Sequence, residues 1–303
     1  METTHPFEKS YEHNGLRVIE CQKCDFRHLL PIPAPEELEK TYCQRFAGDI
    51  RKGFRDRKKK DNEYSELLSG RRFKTWSELL PGQKIHRLLD IGCGMGDMLY
   101  YFQKKGWDTY GIEPSLHFAK DLESKGIPYI AKMAEQLKPG DFRTLGRFDV
   151  INLSMVLEHV GDPIGLMQVV MDNLLSDNGI LTLESPNDFN PLQIASQQAC
   201  DLEPWGITPI HVNYFDFESL ERLILKFGLT PVLRETQFPI ELFLLFGEVY
   251  VGDEKLGKEI HLKRVAFEKN MVKYAKEDVL NQLYRALANH GIGRQAIVHA
   301  RRA

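Results

Sequence analysis

The chain has 303 residues, of which 42% are apolar and 27% charged, and its 40 Lys and Arg against 43 Asp and Glu give a formal net charge of -3. That composition excludes a disordered, collagenous or coiled-coil chain, and at roughly 100–200 residues per domain the length allows one large domain or two smaller ones. The balanced charge provides no long-range attraction to a polyanion, so nucleic-acid or membrane binding would need a local patch.

In chain order, Met1–Lys9 is polar and has no apolar signal segment, and the longest apolar run, Leu242–Phe246, is far too short to span a bilayer. The expectation is a soluble cytosolic protein. Five cysteines, an odd number thinly spread, do not suggest a disulfide framework. Only Cys21 and Cys24 are close enough for joint chemistry. Two thiolates three residues apart at a tight turn can share one tetrahedral metal, so the pair reads as half a zinc knuckle, with a metal-free turn as the alternative. His5, His13, His28 and Cys43 are the residues that could complete the ligand set. A proline-rich stretch (Pro31, Pro33, Pro35) follows, and then Arg51–Lys60, with seven basic residues and one acid. Such a run is either a solvated helix face or a phosphate contact. Residues 1–80 are accordingly expected to form an N-terminal cap.

From Ile85 to Phe238 short apolar runs alternate with amphipathic stretches, the pattern of a doubly wound α/β sheet. The expected strands are Ile85–Ile91, Trp107–Ile112, Tyr129–Ala131, Phe148–Ser154, Ile180–Ser185 and Thr230–Thr236. Between them, Ser115 is a candidate cap for a helix burying Leu116, Ala119 and Leu122 and stopping at Gly126. Asp162-Pro163 is an N-cap followed by proline at the first helical position. Asp216 opens a helix whose Leu220, Leu223, Ile224 and Phe227 share a face before Gly228 ends it. Residues 239–291 read as a helical insertion, with Leu256, Ile260, Phe267, Met271 and Tyr274 on one face, of the kind that sits at the edge of a fold and covers a site. Gln295–Ala300 is one more strand, so the domain built on this sheet is expected to comprise residues 81–238 plus 292–303.

The most informative segment is Asp90-Ile91-Gly92-Cys93-Gly94-Met95-Gly96-Asp97. A strand ends at Asp90 and a helix begins near Asp97, with alternate glycines between them that let the backbone turn sharply and approach a ligand. A dinucleotide fingerprint would have glycine where Asp97 stands, which favours a ligand without phosphates. Glu113, followed by Pro114, ends the next strand, where a carboxylate can accept hydrogen bonds from both hydroxyls of a ribose.

With these segments the chain resembles the class I S-adenosylmethionine-dependent methyltransferases. The resemblance rests on LDIGCGMGD (89–97), GIEPS (111–115), Ala134-Glu135, FDVINLSMVLEHV (148–160) and HVNYFDFESLERLILKFGL (211–229). It implies a seven-stranded Rossmann-like sheet whose last strand is antiparallel. The cofactor would lie with its methionine part over Asp90, Gly92, Gly94 and Gly96 and its ribose at Glu113 and Pro114. Met133, Ala134 and Glu135 would be near the adenine, and Leu153 and Ser154 beside the sulfonium. The segment from Arg17 to Tyr42 is similar to the amino-terminal region of sugar- and natural-product-modifying methyltransferases that carry a Cys-x-x-Cys knuckle. That similarity implies structural zinc at Cys21 and Cys24.

Methyl transfer from a sulfonium is an in-line displacement, and a hydroxyl acceptor gains from a general base. Two histidines are candidates. His211 lies on the side where acceptors bind in such enzymes and is favoured as the base, with a structural histidine capping the next helix as the alternative. His159 follows Glu158 where related ubiquinone-pathway enzymes carry a Glu-x-x-Glu-His metal pattern, but Met155 replaces the first acid, so a cofactor-side or structural role suits His159 better. The Asn/Asp-Pro-Pro-aromatic motif of amine methylation is missing, since Asn152-Leu153-Ser154-Met155 stands there. Trp205 is a candidate wall of the acceptor pocket or a packing residue. The expected function is methylation of a small-molecule hydroxyl, on a sugar or glycan precursor that carries phosphate or a nucleotide. C-methylation of a keto-sugar, an RNA methyltransferase and a non-catalytic cofactor-binding protein are the alternatives.

Overall fold

The computed structural model of the chain describes residues 5–40, 62–80, 82, 85–142 and 144–302. Cys43 and the basic run Arg51–Lys60 lie outside the described residues. In chain order the strands are β1 (Phe7–His13), β2 (Leu16–Cys21), β3 (Arg27–Leu29), β4 (Arg87–Ile91), β5 (Asp108–Ile112), β6 (Tyr129–Ile130), β7 (Phe148–Ser154), β8 (Leu175–Pro186), β9 (Asn213–Tyr214), β10 (Leu229–Glu235) and β11 (Gln295–Arg302). The helices are α1 (Asn62–Leu79), α2 (Asp97–Lys104), α3 (Ala119–Ser124), α4 (Pro163–Asn173), α5 (Pro191–Ala199), α6 (Phe217–Lys226), α7 (Glu241–Leu245), α8 (Glu254–Asn270) and α9 (Glu277–Asn289).

The chain divides into two compact units. One comprises 33–184, 224–232 and 299–303, and the other 1–32, 185–223 and 233–298. The first unit contains the body of a mixed seven-stranded sheet in the order β10-β11-β8-β7-β4-β5-β6. Parallel pairing joins β4 to β5 and β7, β5 to β6, and β7 to β8. The one antiparallel strand is the C-terminal β11, inserted between β8 and β10, so the sheet has the expected doubly wound form. Crossover helices cover it, and their stop signals act as the sequence suggests. Asp162 caps α4 by accepting the Gly165 amide with Pro163 at the first turn, and Gly228 takes φ 69 after α6.

Helix α1 belongs to this unit, although the sequence reading assigned it to a cap ending at residue 80. Its Trp76 is fully buried beside Phe102 and Trp107, and it donates Nε1–H to Thr182 Oγ1 at 2.8 Å, which in turn meets His299 Nδ1 at 2.9 Å. An indole needs both an apolar surround and one hydrogen-bond partner when buried. The strand positions Thr182 and His299 supply that partner chain.

The second unit contains an antiparallel sheet in the order β1-β2-β3-β9, which the sequence reading did not resolve into strands. Asn14 and Gly15, both at positive φ (50 and 76), form the two-residue turn between β1 and β2. Val18, Leu29, Ile207 and Tyr214 form its core. The stretch 239–291 is helical, and α8 buries Ile260, Arg264, Val265 and Glu268. Two side chains that the sequence places on apolar helix faces are exposed. Leu116 (71% exposed) sits in a turn ahead of α3, whose first residue is Ala119. Tyr274 (74% exposed) lies in a π-helical turn, Met271–Ala275, that rotates the helix out of its earlier register.

Candidate functional site

Strand β4 delivers the chain to the glycine loop, where Gly92, Gly94 and Gly96 all have positive φ (80, 56 and 71). The three glycines differ in what a side chain would meet. A Cβ on Gly92 would lie 2.6 Å from Val156 Cγ2, and one on Gly96 would lie 2.6 Å from Leu122 Cδ2 and 2.7 Å from Ile127 Cδ1. A Cβ on Gly94 would meet nothing within 4 Å. Gly92 and Gly96 are therefore required by packing, and Gly94 faces open space at the C-terminal end of β4. Lys125 fastens the loop, donating to Met95 O and to Asp97 Oδ1, each at 2.6 Å.

Glu113 is buried at the end of β5, and its two carboxylate oxygens accept the backbone N–H of Gly94 (2.9 Å) and of Ser115 (2.8 Å). These two donors fix the orientation of the Glu113 carboxylate at the strand end. Asp90 is buried under the loop and accepts Asn152 Nδ2–H at 2.7 Å. Burial pushes its carboxyl up to about 7, against the Asn152 hydrogen bond and the nearby Arg72 charge, with Glu113 and Glu184 adding a smaller upward push. The native carboxyl then keeps its proton to higher pH than the unfolded one, whose ordinary value is 3.8, and the native state binds more protons in between. The stability Asp90 contributes is complete below that ordinary value and is lost as pH rises through about 7. Asp90→Asn is expected to flatten this loss, read as the change in urea midpoint between about pH 5 and about pH 7.5; an unaltered slope would assign the titration to another group.

At the ends of β7 and β8, Ser154 Oγ–H donates to Glu184 Oε2 at 2.7 Å, and Arg72 Nη2–H donates to the same oxygen at 2.6 Å. Arg72 lies over the Trp76 ring, and its Nη1 is buried with no hydrogen-bond partner. An unsatisfied guanidinium N–H beside the strand ends suits an anionic ligand group. Leu153 is fully buried in β7, so only its backbone can face a ligand. Ala134 and Glu135 lie in a 3-10 turn, where Glu135 accepts the Gly161 amide, giving that acid a backbone-bracing part. His159 is half-buried with Nε2 3.8 Å from the buried Glu158 carboxylate.

The remaining sequence candidates lie in the other unit. His211 is half-buried, with its ring 6.2 Å from the Tyr214 ring. Trp205 is half-buried in the same long loop. Asp188, which sequence reasoning passed over, has its carboxyl pushed up to about 7 by burial and by the Glu241 charge. Cys21, Cys24, His5 and His28 are brought together, with one ligand atom from each within 4.8 Å of all the others. His13 is elsewhere, beside Asn14 and Glu203. Arg72, Glu184 and Asn152 were also not anticipated; the polar residues Ser154 and Glu184 at two strand ends were the available signal. Among the described residues no helix is long and apolar enough to cross a membrane.

The loop fits the methionine and ribose ends of S-adenosylmethionine on two observations, the open position at Gly94 and the orphaned Arg72 N–H. The comparisons agree. Residues 40–234 match the methyltransferase-domain family. Among curated proteins, the chain is 33% identical over 107 residues to a ubiquinone biosynthesis O-methyltransferase of Rhodopseudomonas palustris, covering 33% of this chain and 40% of the relative. It is 29% identical over 166 residues to the enzyme of that name from Cereibacter sphaeroides, covering 52% and 64%. A trans-aconitate 2-methyltransferase of Rhizobium leguminosarum is 26% identical over 129 residues, covering 42% and 49%. The chain thus spans 40%, 64% and 49% of the lengths of these three relatives. Among solved structures, the plantazolicin methyltransferase BpumL in complex with SAH superposes with a TM-score of 0.51 at 15% identity, covering 88% of this chain and 98% of that one. Loop, acid, sheet order and family match converge, and the chain belongs to the methyltransferase-domain family, with the fold of the class I S-adenosylmethionine-dependent enzymes.

Proposed function

We propose that this protein is a methyltransferase that uses S-adenosylmethionine to methylate a hydroxyl of a small cytoplasmic molecule, a sugar or glycan precursor carrying phosphate or a nucleotide. The observation that carries the cofactor reading is the open backbone at Gly94, whose N–H is tied to the buried Glu113. The curated relatives described as O-methyltransferases support a hydroxyl acceptor, and the Arg51–Lys60 run supports a phosphate on it.

When bound, the cofactor supplies an electrophilic methyl group on its sulfonium. The chain's own groups do the rest. Glu113 accepts from vicinal hydroxyls, Arg72 offers an N–H to a carboxylate, and Asp90 offers a carboxyl to an ammonium. Holding both ends of a ligand fixes the direction of the bond to be broken, which is the main source of acceleration in an in-line displacement. His211 takes the acceptor's proton, and the half-buried Trp205 forms an apolar wall. Zinc at the Cys21–Cys24 turn belongs to the same reading as a structural group.

Incubation with methyl-labelled cofactor and a panel of nucleotide sugars, glycans and phenolics, followed by mass analysis, tests the reaction. Label on a sugar hydroxyl is expected; cofactor binding without label on any member would count against this acceptor class. His211→Ala is expected to lower kcat roughly 10²–10⁴-fold with little change in cofactor affinity. Unaltered turnover on the labelled acceptor would assign His211 a structural part only.

A further inference from the structure

From the geometry around the Cys21–Cys24 turn we infer a closed four-ligand zinc site made by His5, Cys21, Cys24 and His28. The inference rests on the reading of that turn as metal-binding and adds its ligand set and its mechanical role. All four residues lie in the unit that holds His211 and Trp205, not in the one that holds the glycine loop, so the inference stands apart from the cofactor reading.

The turn has the form that two thiolates need to share a cation. The Asp25 amide donates to Cys21 O at 3.0 Å, and Asp25 takes φ 66, which folds the chain back at once. The Cys24 amide points at Cys21 Sγ at 3.4 Å. His5 Nδ1 lies 3.4 Å from Cys21 Sγ and 3.6 Å from Cys24 Sγ. With Zn–S of about 2.3 Å and Zn–N of about 2.0 Å, the edges of a tetrahedral site are roughly 3.3–3.8 Å, so these separations fit.

The fourth corner is the independent observation. His28 is 1% exposed, and its Nε2 is buried with no hydrogen-bond partner. Its Nδ1 is 2.8 Å from Leu29 O. A backbone carbonyl accepts but does not donate, so the ring proton is on Nδ1 and the lone pair is on Nε2. This is the arrangement by which an outer carbonyl sets the tautomer of a ligating histidine. A buried imidazole acceptor without a donor is costly unless something positive occupies its lone pair. Binding M²⁺ displaces the two thiol protons to solvent, and two thiolates with two neutral imidazoles leave the buried site with no net charge.

The site also has a mechanical consequence. His28 pairs with Asn213 in the β3–β9 ladder, and the Leu29 amide donates to Val212 O at 2.8 Å. The metal therefore ties His5, ahead of β1, to Val212 and strand β9, immediately after His211.

The test uses the 303-residue chain purified without chelator, with metal content and cobalt(II) spectra as readouts. One zinc per chain is expected, and cobalt(II) in its place should give near-ultraviolet thiolate charge-transfer absorption and the intense visible bands of a tetrahedral ion. Cys24→Ser, His5→Ala and His28→Gln should each lower zinc affinity at least about 10-fold, while His13→Ala retains it. Stripping zinc from the wild type should raise amide exchange at residues 28–29 and 212–214. A metal-free wild type with no cobalt spectrum would show hydrogen-bonded thiols and overturn the site. Zinc retained at full affinity in either histidine variant would overturn the ligand set alone, and unaltered exchange would overturn the mechanical role. Cofactor binding, measured in parallel by calorimetry, reports separately on the methyltransferase reading.

Discussion

Gly94→Val is expected to weaken S-adenosylmethionine binding by roughly 100-fold or more, about 3 kcal/mol, while the protein still folds. The fold survives because a side chain at 94 enters open space, whereas at 92 or 96 it would strike Val156, or Leu122 and Ile127. A non-glycine residue at φ 56 is also strained, at a cost of about 1–3 kcal/mol. Gly106→Val controls for that strain, because Gly106 has φ 84 and nothing within 4 Å of its Cβ position. Calorimetric titration with the cofactor should find Gly106→Val binding like the wild type and Gly94→Val scarcely at all. Equal affinities in the two variants would show that the loop does not approach the ligand at residue 94.

The second large effect is expected at Arg72. Its side chain is 11% exposed and that of Glu184 is 6%, and their 2.6 Å contact is a buried ion pair joining α1 to the end of β8. Removing one partner of such a pair leaves a charge without its compensation, and Arg72→Met should cost about 3–5 kcal/mol in urea unfolding. The double variant Arg72→Met/Glu184→Gln should recover most of that loss, because the charge is gone and the Gln oxygen can still accept from Ser154. A single-variant loss below about 1 kcal/mol would mean that solvent screens the pair as it does at a surface.

Arg72 also shows where sequence reasoning stops. The alternation of apolar runs with capped helices located the strands of the seven-stranded sheet to within a few residues, because each element there carries its own local signal. The glycine loop and Glu113 were legible for the same reason, since turn, acid and strand end occur within one continuous segment. Arg72 and Glu184 meet only through the tertiary fold, 112 positions apart, and α1 has no strong amphipathic face to announce its docking. The small sheet was harder still. Its outer strand, Phe-Glu-Lys-Ser-Tyr-Glu-His, is nearly all exposed, and β9 is two residues long. Asn14-Gly15 was the one local signal available for the first hairpin. The His5–Cys21–Cys24–His28 cluster was half legible: the sequence limits the ligands to a few histidines, and the fold separates His28 from His13.

The placement of β9 and β11 bears on how this protein can be taken apart. A fragment cut to residues 40–234, the span that matches the family, would lose β1–β3 and β11. Asn213 and Tyr214 would be left with unpaired backbone, and β10 would lose the neighbour that joins it to β8. Bare strand edges and the uncovered Ile207–Tyr214 surface favour intermolecular pairing. The span recognisable as a methyltransferase is therefore shorter than the span that can be expressed as a well-behaved domain, and dissection should follow the strand order rather than the family boundaries.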